Sequence, residues 1–280
     1  MTNQAWCYQS ALQQARALLN NDQAKLDAEI LLSFVTQQNR SHFYTWPEAP
    51  LSLQQANVFF QLIEQRRQGQ PIAYLTGERE FWGLNLNVTP ATLIPRADTE
   101  TLVEAALYTL QNTTSPKVLD LGTGSGAIAL AIKSERPDAQ VYAVDRSGAA
   151  LSVAKQNAQK HHLDIIFLTG SWFEPIQDLQ FDLILSNPPY IEQNDQHLTQ
   201  GDLRFEPTSA LVAGADGLDD LRLIINQACY YLNQQAWLMV EHGYNQADAV
   251  AELFEHAGYQ AIELKRDLSG QARVTQGQKP

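Results

Sequence analysis

Asn187-Pro188-Pro189-Tyr190 closes an apolar run, Phe181 to Leu185, that reads as a buried strand. Proline has no N–H to give and a fixed φ, so a proline pair ends sheet pairing. Alone, such a segment reads as a turn, because Asn and Pro are ordinary turn residues. The same residue types also suit one difficult reaction. A planar nitrogen with a delocalised lone pair, such as an adenine or cytosine amino group or a glutamine side-chain amide, is a poor nucleophile. The Asn187 side-chain oxygen and the Pro188 carbonyl are acceptors only. Together they can take both N–H bonds of such a nitrogen, draw electron density onto it and aim its lone pair. Prolines at 188 and 189 fix the carbonyls in advance, so little entropy is lost on docking. Tyr190 can stack on the planar group and present its π face to a nearby cation.

A second stretch could hold the reagent. In "KVLDLGTGSGAIALAIK", residues 117–133, a short apolar strand runs into Gly122-Thr123-Gly124-Ser125-Gly126 and then into a helical run. Glycines let the chain turn sharply and let a ligand approach without a Cβ in the way. The loop is not the G-x-G-x-x-G of a dinucleotide site, and no Gly-Lys-Ser/Thr follows it as in a P-loop. Asp120 ends the strand before it. An acid there repels a pyrophosphate but suits a ligand with an amino group and a cationic sulfur. The next strand, "QVYAVD", ends in Asp145, nineteen residues past Gly126, where a carboxylate can accept both hydroxyls of an adenosine ribose. A lone G-x-G-x-G could serve strand–helix packing only. With Asp120 and Asp145 it points to an adenosyl ligand, S-adenosylmethionine, and the reaction becomes methyl transfer to nitrogen. The nitrogen grows more acidic as it gains the methyl group, so no strong base is required.

Weaker candidates surround these two. Trp172, in "TGSWFEP", could cover an adenine ring or fill the core. Glu241 ends a further strand on the same edge, and its simplest role is structural. His161 and His162 fall in a polar loop. The six histidines form no metal or triad pattern, and no metal is expected.

The elements that must position these residues change character along the chain. Residues 1–75 carry helical patterns: Ala11, Leu12, Ala15, Leu18 and Leu19 in the first, then Leu26, Ile30, Leu31 and Phe34 after an Asn21 or Asp22 cap. Ser52 reads as the cap of a third helix that ends near Gly69. Residues 76–98 read as a β-hairpin linker turning at Gly83, and Thr99 as the cap of the next helix. Residues 99–280 alternate strand and helix, with strands expected at 117–121, 140–144, 164–168, 181–185, 236–240, 260–264 and 272–275. That alternation predicts an α/β domain with a mostly parallel sheet covered on both faces, its last two strands forming an antiparallel hairpin at one edge.

Bulk properties narrow the setting. The chain has 280 residues and a net charge of −12, long enough for one large domain and a small one. No basic run is present, so a protein that grips nucleic acid through its phosphates is disfavoured. Two cysteines, Cys7 and Cys229, lack metal spacing and read as free thiols of a reducing compartment. No signal-peptide pattern or apolar stretch of membrane-spanning length occurs. A cytoplasmic protein is expected.

The motifs "PIAYLTGEREFWGLNLNV", "LIPRADTETLVE", "LDLGTGSGAIAL", "AVDRS", "SNPPYI", "RFEPTSAL" and "EHGY" together resemble the PrmC/HemK family, the release factor glutamine methyltransferases, over essentially the whole chain. The first two are the more specific, since nucleic-acid methyltransferases with Asn-Pro-Pro-Tyr do not share them. The resemblance implies a small helical domain that docks the substrate, a hairpin linker, and a class I, Rossmann-like methyltransferase domain with a seven-stranded sheet. It implies methylation of the glutamine in the Gly-Gly-Gln loop of class I peptide chain release factors, with S-adenosylmethionine as donor. It implies cofactor contacts at Gly122, Thr123, Gly124, Ser125, Gly126, Asp145, Trp172 and Asn187, and substrate contacts at Asn187, Pro188, Pro189 and Tyr190. Two departures stand out. Ser171 replaces an acid that many relatives carry before the tryptophan, and Ala97 replaces the second proline of a usual Pro-Arg-Pro.

Two other functions compete. An adenine or cytosine amino-methyltransferase acting on nucleic acid would use the same four residues, but would need a basic recognition module. Residues 1–75 hold Arg16, Lys25, Arg40, Arg66 and Arg67 against as many acids. A cofactor-fold binding protein without chemistry is the other rival, and the intact glycine loop, Asp145 and Asn187 count against it. A monomer acting on a protein substrate, with no membrane or direct nucleic-acid partner, is the expectation.

Overall fold

The computed structural model describes residues 5–280, which divide into two compact units, 5–77 with 199–205, and 78–198 with 206–280. In the first unit, α1 (Tyr8–Leu19), α2 (Ala24–Thr36) and α4 (Leu53–Arg67) pack on one another, with the short α3 (Arg40–Thr45) and α5 (Ile72–Thr76) beside them. Their core is Ala11, Ala15, Ala28, Leu31, Leu32, Phe59 and Ile63, all at most 0% exposed. The Ser52 cap forms as a reciprocal box with Gln55. Gly69, at φ +95°, follows the end of α4. The expected α2 differs. It starts after Gln23, and Asn21 instead accepts from the Gln23 N–H in a turn. Leu26 and Phe34, expected inside, are each 39% exposed. Alanines 24 and 28 face inward instead, so neighbouring helices can approach closely there.

Two buried acids of this unit are neutralised where they lie. Glu29 accepts from Arg16, Arg40 and Tyr44. Asp27 accepts from Arg66 Nε at 2.7 Å, and Arg66 Nη1 also reaches Asp202 at 3.1 Å.

The second unit opens with the hairpin β1 (Glu78–Phe81) and β2 (Leu84–Asn87). Its turn residues Trp82 and Gly83 both have positive φ, the conformation of a tight two-residue hairpin loop. Next come α6 (Glu100–Leu110), β3 (Lys117–Leu121), α7 (Ala127–Glu135), β4 (Gln140–Asp145), α8 (Gly148–Lys160), β5 (Ile166–Thr169) and β6 (Phe181–Ser186). Then follow α9 (Asp219–Ala228), β7 (Leu232–Glu241), α10 (Ala247–His256), β8 (Gln260–Arg266) and β9 (Ala272–Gln278). The seven strands are ordered β5-β4-β3-β6-β7-β9-β8. All pairs are parallel except β7–β9 and β8–β9, so the edge hairpin expected from the sequence is present.

Alternation along each strand feeds two cores. Val118, Val141, Ala143, Leu183 and Leu185 pack on one face with α6 and α7. Leu119, Leu121, Val144, Ile184 and Leu238 pack on the other with α9 and α10. Side chains two apart share a face, and both faces are covered, which is why these strands read as nearly continuous apolar runs. β3 lies between β4 and β6, where the direction of winding reverses. The loops leaving β3, β4 and β6 therefore meet at the carboxyl edge, where ligands of open α/β sheets bind. Cys7 and Cys229 are free thiols. Among the described residues no helix is long and apolar enough to cross a membrane.

Candidate active site

Asp120 lies in β3 between the buried Leu119 and Leu121, and it is itself 0% exposed. Its Oδ2 accepts from the Thr123 hydroxyl at 2.5 Å, while Oδ1 has no hydrogen-bond partner among the described residues. Burial pushes its pKa up to about 7, against the Thr123 hydroxyl and the Ala129 N–H, with Asp145 adding to the rise. A buried acid left with a bare oxygen fits a positively charged ligand group.

The loop after β3 is tied to β4. Gly122 and Thr123 both donate to the Val144 carbonyl, at 2.9 and 3.0 Å, and Gly126 donates back to Thr123 at 2.8 Å. Gly122 has φ +72°, and a Cβ there would meet the Trp172 ring at 3.3 Å. Gly124 has φ +57° and open space where its Cβ would be, so a ligand can come down onto the backbone. Asp145 ends β4 with its carboxylate fixed by two N–H groups, Gly124 on Oδ2 and Ser147 on Oδ1, each at 2.8 Å. Each oxygen keeps a lone pair, enough for one hydroxyl apiece.

One cavity of about 220 Å³ has Gly122, Gly124, Asp145, Trp172, Asn187 and Pro189 in its wall. Thr123 and Ser125 line an adjoining cavity that also touches Gly122, Gly124 and Asn187. Trp172 does both things its sequence context allowed: it borders the cavity and packs against the core of α9 and α10. Pro188 is buried and lines neither cavity, between Asn187 and Pro189, which line the main one. Tyr190 is set back too, and its hydroxyl donates to Glu241 Oε1 at 3.3 Å. Burial and the Glu241 charge raise the Tyr190 pKa above its ordinary value, so it stays a phenol.

Asn187 donates its Nδ2 to Thr99 Oγ1 at 3.1 Å. That bond commits the amide's donor end and leaves Oδ1 as an acceptor. Thr99 is therefore not the helix cap expected from its position: it has helical φ and ψ and makes no capping bond. The backbone behind the motif is pinned. Tyr190 O accepts from Gln246 Nε2 at 3.0 Å, and Ile191 exchanges bonds with Leu211 and Ala213.

Residues that sequence reasoning passed over also converge here. Arg96 and Thr99 line the adjoining cavity. Glu206 is buried, accepts from the Ile94 N–H at 3.0 Å and pairs with Arg96, so "RFEP" holds "LIPRAD" in place. Asp220 lines the main cavity with Ser171 and Trp172. Burial raises its pKa, opposed by Arg146 and Trp172. It brings a carboxylate to the wall where Ser171 lacks one. An acid pair at the start of α9, Asp219 and Asp220, reads as ordinary helix-start chemistry and carries no signal of this in sequence. The charged and hydroxyl-bearing residues of "LIPRADT", "RFEP" and "EHG" were the available hint.

Comparison with known proteins adds to this geometry. Residues 98–233 match the methyltransferase small domain family and residues 10–77 the PrmC N-terminal domain. The chain is 50% identical over 257 residues to the release factor glutamine methyltransferase of Xylella fastidiosa (strain 9a5c), covering 91% of this chain and 94% of that one. It is 48% identical over 280 residues to the protein of the same name from Salmonella typhimurium, covering 99% of each. Among solved structures, the T. thermophilus 16S rRNA N2 G1207 methyltransferase, in complex with AdoMet and guanosine, superposes with a TM-score of 0.53 at 20% identity. That match covers 72% of this chain and 50% of the other, and it shows the fold alone.

Proposed function

The chain belongs to the release factor glutamine methyltransferase family, and we propose on that premise that its cavity holds S-adenosylmethionine beside Asn187–Tyr190, to methylate a release-factor glutamine on its side-chain amide nitrogen. The observation that carries this reading is the shared wall, in which Gly122, Gly124, Asp145 and Trp172 line one cavity together with Asn187 and Pro189.

The residues fit that cofactor. When bound, it supplies an electrophilic methyl group on a positively charged sulfur. The open Gly124 backbone lets it approach, Asp145 takes the ribose hydroxyls, and the bare oxygen of Asp120 favours its positive charge. Trp172 covers the adenine, with Asp220 the acid on that wall in place of Ser171.

The substrate side then follows from the acceptors. Asn187 Oδ1 and the Pro188 carbonyl take the two N–H bonds of the glutamine amide. They hold its plane fixed and turn the nitrogen lone pair toward the methyl group, which is alignment rather than base catalysis. Tyr190, a neutral phenol, packs beside the amide. The glutamine proposed is that of the Gly-Gly-Gln loop of class I release factors. The helical unit at residues 5–77 is proposed to dock the body of the factor, which places the enzyme in the cytoplasm with translation.

Methyl transfer from labelled S-adenosylmethionine to a purified release factor, with DNA and RNA in parallel, tests the reading. Mass spectrometry should place the label on the glutamine of the Gly-Gly-Gln loop. Label in nucleic acid alone would overturn it.

A further inference from the structure

Asn157, on α8, is a fully buried amide whose hydrogen bonds run to main chain. Its Oδ1 accepts from the Asn87 N–H at 2.7 Å. Its Nδ2 donates to the Asn87 carbonyl at 3.0 Å and to the Ser125 carbonyl at 2.9 Å. Asn87 is the last residue of β2, and the amide exchanges with it the two bonds that a neighbouring strand residue would. Ser125 belongs to the glycine loop. The two segments lie 70 and 32 positions from Asn157, so one side chain gathers three distant parts of the chain. With both Nδ2 protons committed, the amide cannot turn over without losing these bonds.

We propose that Asn157 is a positioning residue for the cofactor: it fixes the spacing of two backbone segments that wall the cavity, the glycine loop and the chain that leaves β2. The proposal rests on the S-adenosylmethionine reading above and deepens it. From Asn87 the chain runs through the buried Val88 to Ala91, Thr92 and Leu93, which line the main cavity. Leu93 lines the adjoining cavity as well, together with Ser125. Asn157 lines neither. It acts through the main chain it holds.

The fit is close on the loop side too. Gly126 has φ +86°, and a Cβ there would meet the Ala154 Cβ at 3.2 Å. Ala154 and Asn157 are three apart on α8 and share a face, so one side of that helix carries the loop at two points. The start of α8 holds the ribose acceptor, since the Ser147 N–H donates to Asp145 Oδ1 at 2.8 Å. α8 is thus a common base for Asp145, the glycine loop and the chain after β2. Lys160 and His161 add outer ties. Lys160 Nζ reaches Glu78 Oε1 at 2.8 Å and Asn87 Oδ1 at 3.0 Å, and His161 Nε2 meets the Asn85 carbonyl at 3.0 Å. Those bonds reach the hairpin, whereas Asn157 joins the hairpin to the loop. An apolar residue would fill this core position without the cost of desolvating an amide. A fully bonded buried amide instead selects one arrangement of the segments it joins.

The full-length chain tests this as wild type, Asn157→Ala, Asn157→Asp and a control, Asn233→Ala, which removes a 2.7 Å bond to Asp182 at the amino ends of β6 and β7. In calorimetric titration, Asn157→Ala should bind S-adenosylhomocysteine on the order of tenfold more weakly, because the tied cavity is less populated. Asn157→Asp keeps the acceptor but neither donor, and should bind no better. KM for S-adenosylmethionine should rise while kcat at saturation changes little. Asn233→Ala should lose thermal stability and keep wild-type affinity. By linkage, a tie that favours the ligand must itself be favoured by the ligand. The Asn87 amide, outside both cavities, should therefore exchange its hydrogen on the order of tenfold more slowly in wild type when S-adenosylhomocysteine is bound. Wild-type affinity in either Asn157 variant, an equal loss in Asn233→Ala, or Asn87 exchange that ignores the ligand overturns the proposal. If neither Asn157 variant folds, the wild-type exchange decides. Wild-type protein that binds no S-adenosylhomocysteine fails the reading of function instead. Exchange in the ligand-free protein still judges the tie: Asn157→Ala should quicken it in 87–96 and 122–126 together, and quickening in one segment alone overturns it.

Discussion

The Trp172 ring lies 3.3 Å from the point where a Cβ on Gly122 would stand, so the glycine loop and the tryptophan are fitted to one another. Trp172 itself has φ +48°, an unusual backbone for a bulky residue, sustained only where the surroundings hold it. The ring borders the cavity and packs against the core of α9 and α10. Trp172→Ala should weaken cofactor binding by ~1–3 kcal/mol, the range for losing an aromatic platform under a base. Trp172→Phe should lose less. Calorimetric titration with S-adenosylhomocysteine measures it, and equal affinities for wild type and Trp172→Ala would reduce Trp172 to core filling.

Asp120 predicts opposite pH trends for binding and for stability. Its folded pKa, about 7, lies above its ordinary 3.8. Between those values the folded state holds a proton that the unfolded chain has released. The folded state binds more protons there, so this group's contribution to stability falls as pH rises, down to a floor above about pH 7. Asp120→Asn should remove that slope and stabilise the ligand-free protein at neutral pH, by roughly 1–3 kcal/mol. Affinity for a positively charged cofactor should do the reverse, rising as Asp120 ionises through about pH 7 and losing that rise in Asp120→Asn. Thermal melts and binding titrations across pH 5 to 8 check both. A melt profile identical in the variant would show that Asp120 does not titrate as its burial requires.

How much of this was legible in the sequence depends on the kind of signal. Strand–helix alternation marks the seven strands of the sheet, and β3, β4 and β6 stand out most because burial on both faces leaves nearly continuous apolar residues. The glycine loop shows because Gly122 and Gly124 need a backbone that other residues avoid. Thr99 was misread because a threonine ahead of a helix has a standard local use, and nothing local says that Asn187, 88 positions on, will claim it. The charge of Glu206 stands out in "RFEP", but its partner does not, because Ile94 lies 112 positions away. In α2 the period of leucines and phenylalanines pointed to a stripe through Leu26 and Phe34. The helix instead packs through Ala24 and Ala28, because small residues let its neighbours come close. A single sequence cannot say which face a neighbour selects.

Glu206 offers a test of how the segment before α6 is held. It is buried, with Ile94 N–H and Arg96 as donors, and Arg96 and Thr99 line the cavity beside the glycine loop. Glu206→Ala leaves the Ile94 N–H without its acceptor and should cost roughly 1–3 kcal/mol. Glu206→Gln keeps one acceptor and should cost less. Differential melts rank the three proteins, and a Glu206→Ala variant as stable as wild type would remove this anchor from the account.

Substrate docking on the helical unit can be probed away from the chemistry. Trp46 follows α3 and is 60% exposed, and exposed tryptophans are over-represented among residues that carry binding energy. Trp46→Ala should raise KM for an intact release factor on the order of tenfold, or ~1.4 kcal/mol. KM for a short peptide carrying the Gly-Gly-Gln loop should be unchanged, since the peptide lacks the body that docks. Equal changes on both substrates would move docking elsewhere.

Asn187 separates binding from chemistry most sharply. Its Nδ2 is committed to Thr99, so what it offers a substrate is Oδ1 alone. Asn187→Ala removes one of the two acceptors that turn the amide nitrogen toward the methyl group. The other, the Pro188 carbonyl, remains. Loss of a single preorganised partner of this kind costs about 10²–10³ in kcat. The glycine loop, Asp120 and Asp145 are untouched, so the cofactor should bind as before. Asn187→Asp keeps an acceptor for the amide but gives up the donor to Thr99. Its kcat should fall as well, because the bond that orients the side chain is lost. Single-turnover methylation with measured cofactor affinity tests all three proteins. Asn187→Ala with undiminished transfer would leave the acceptor mechanism without its central residue.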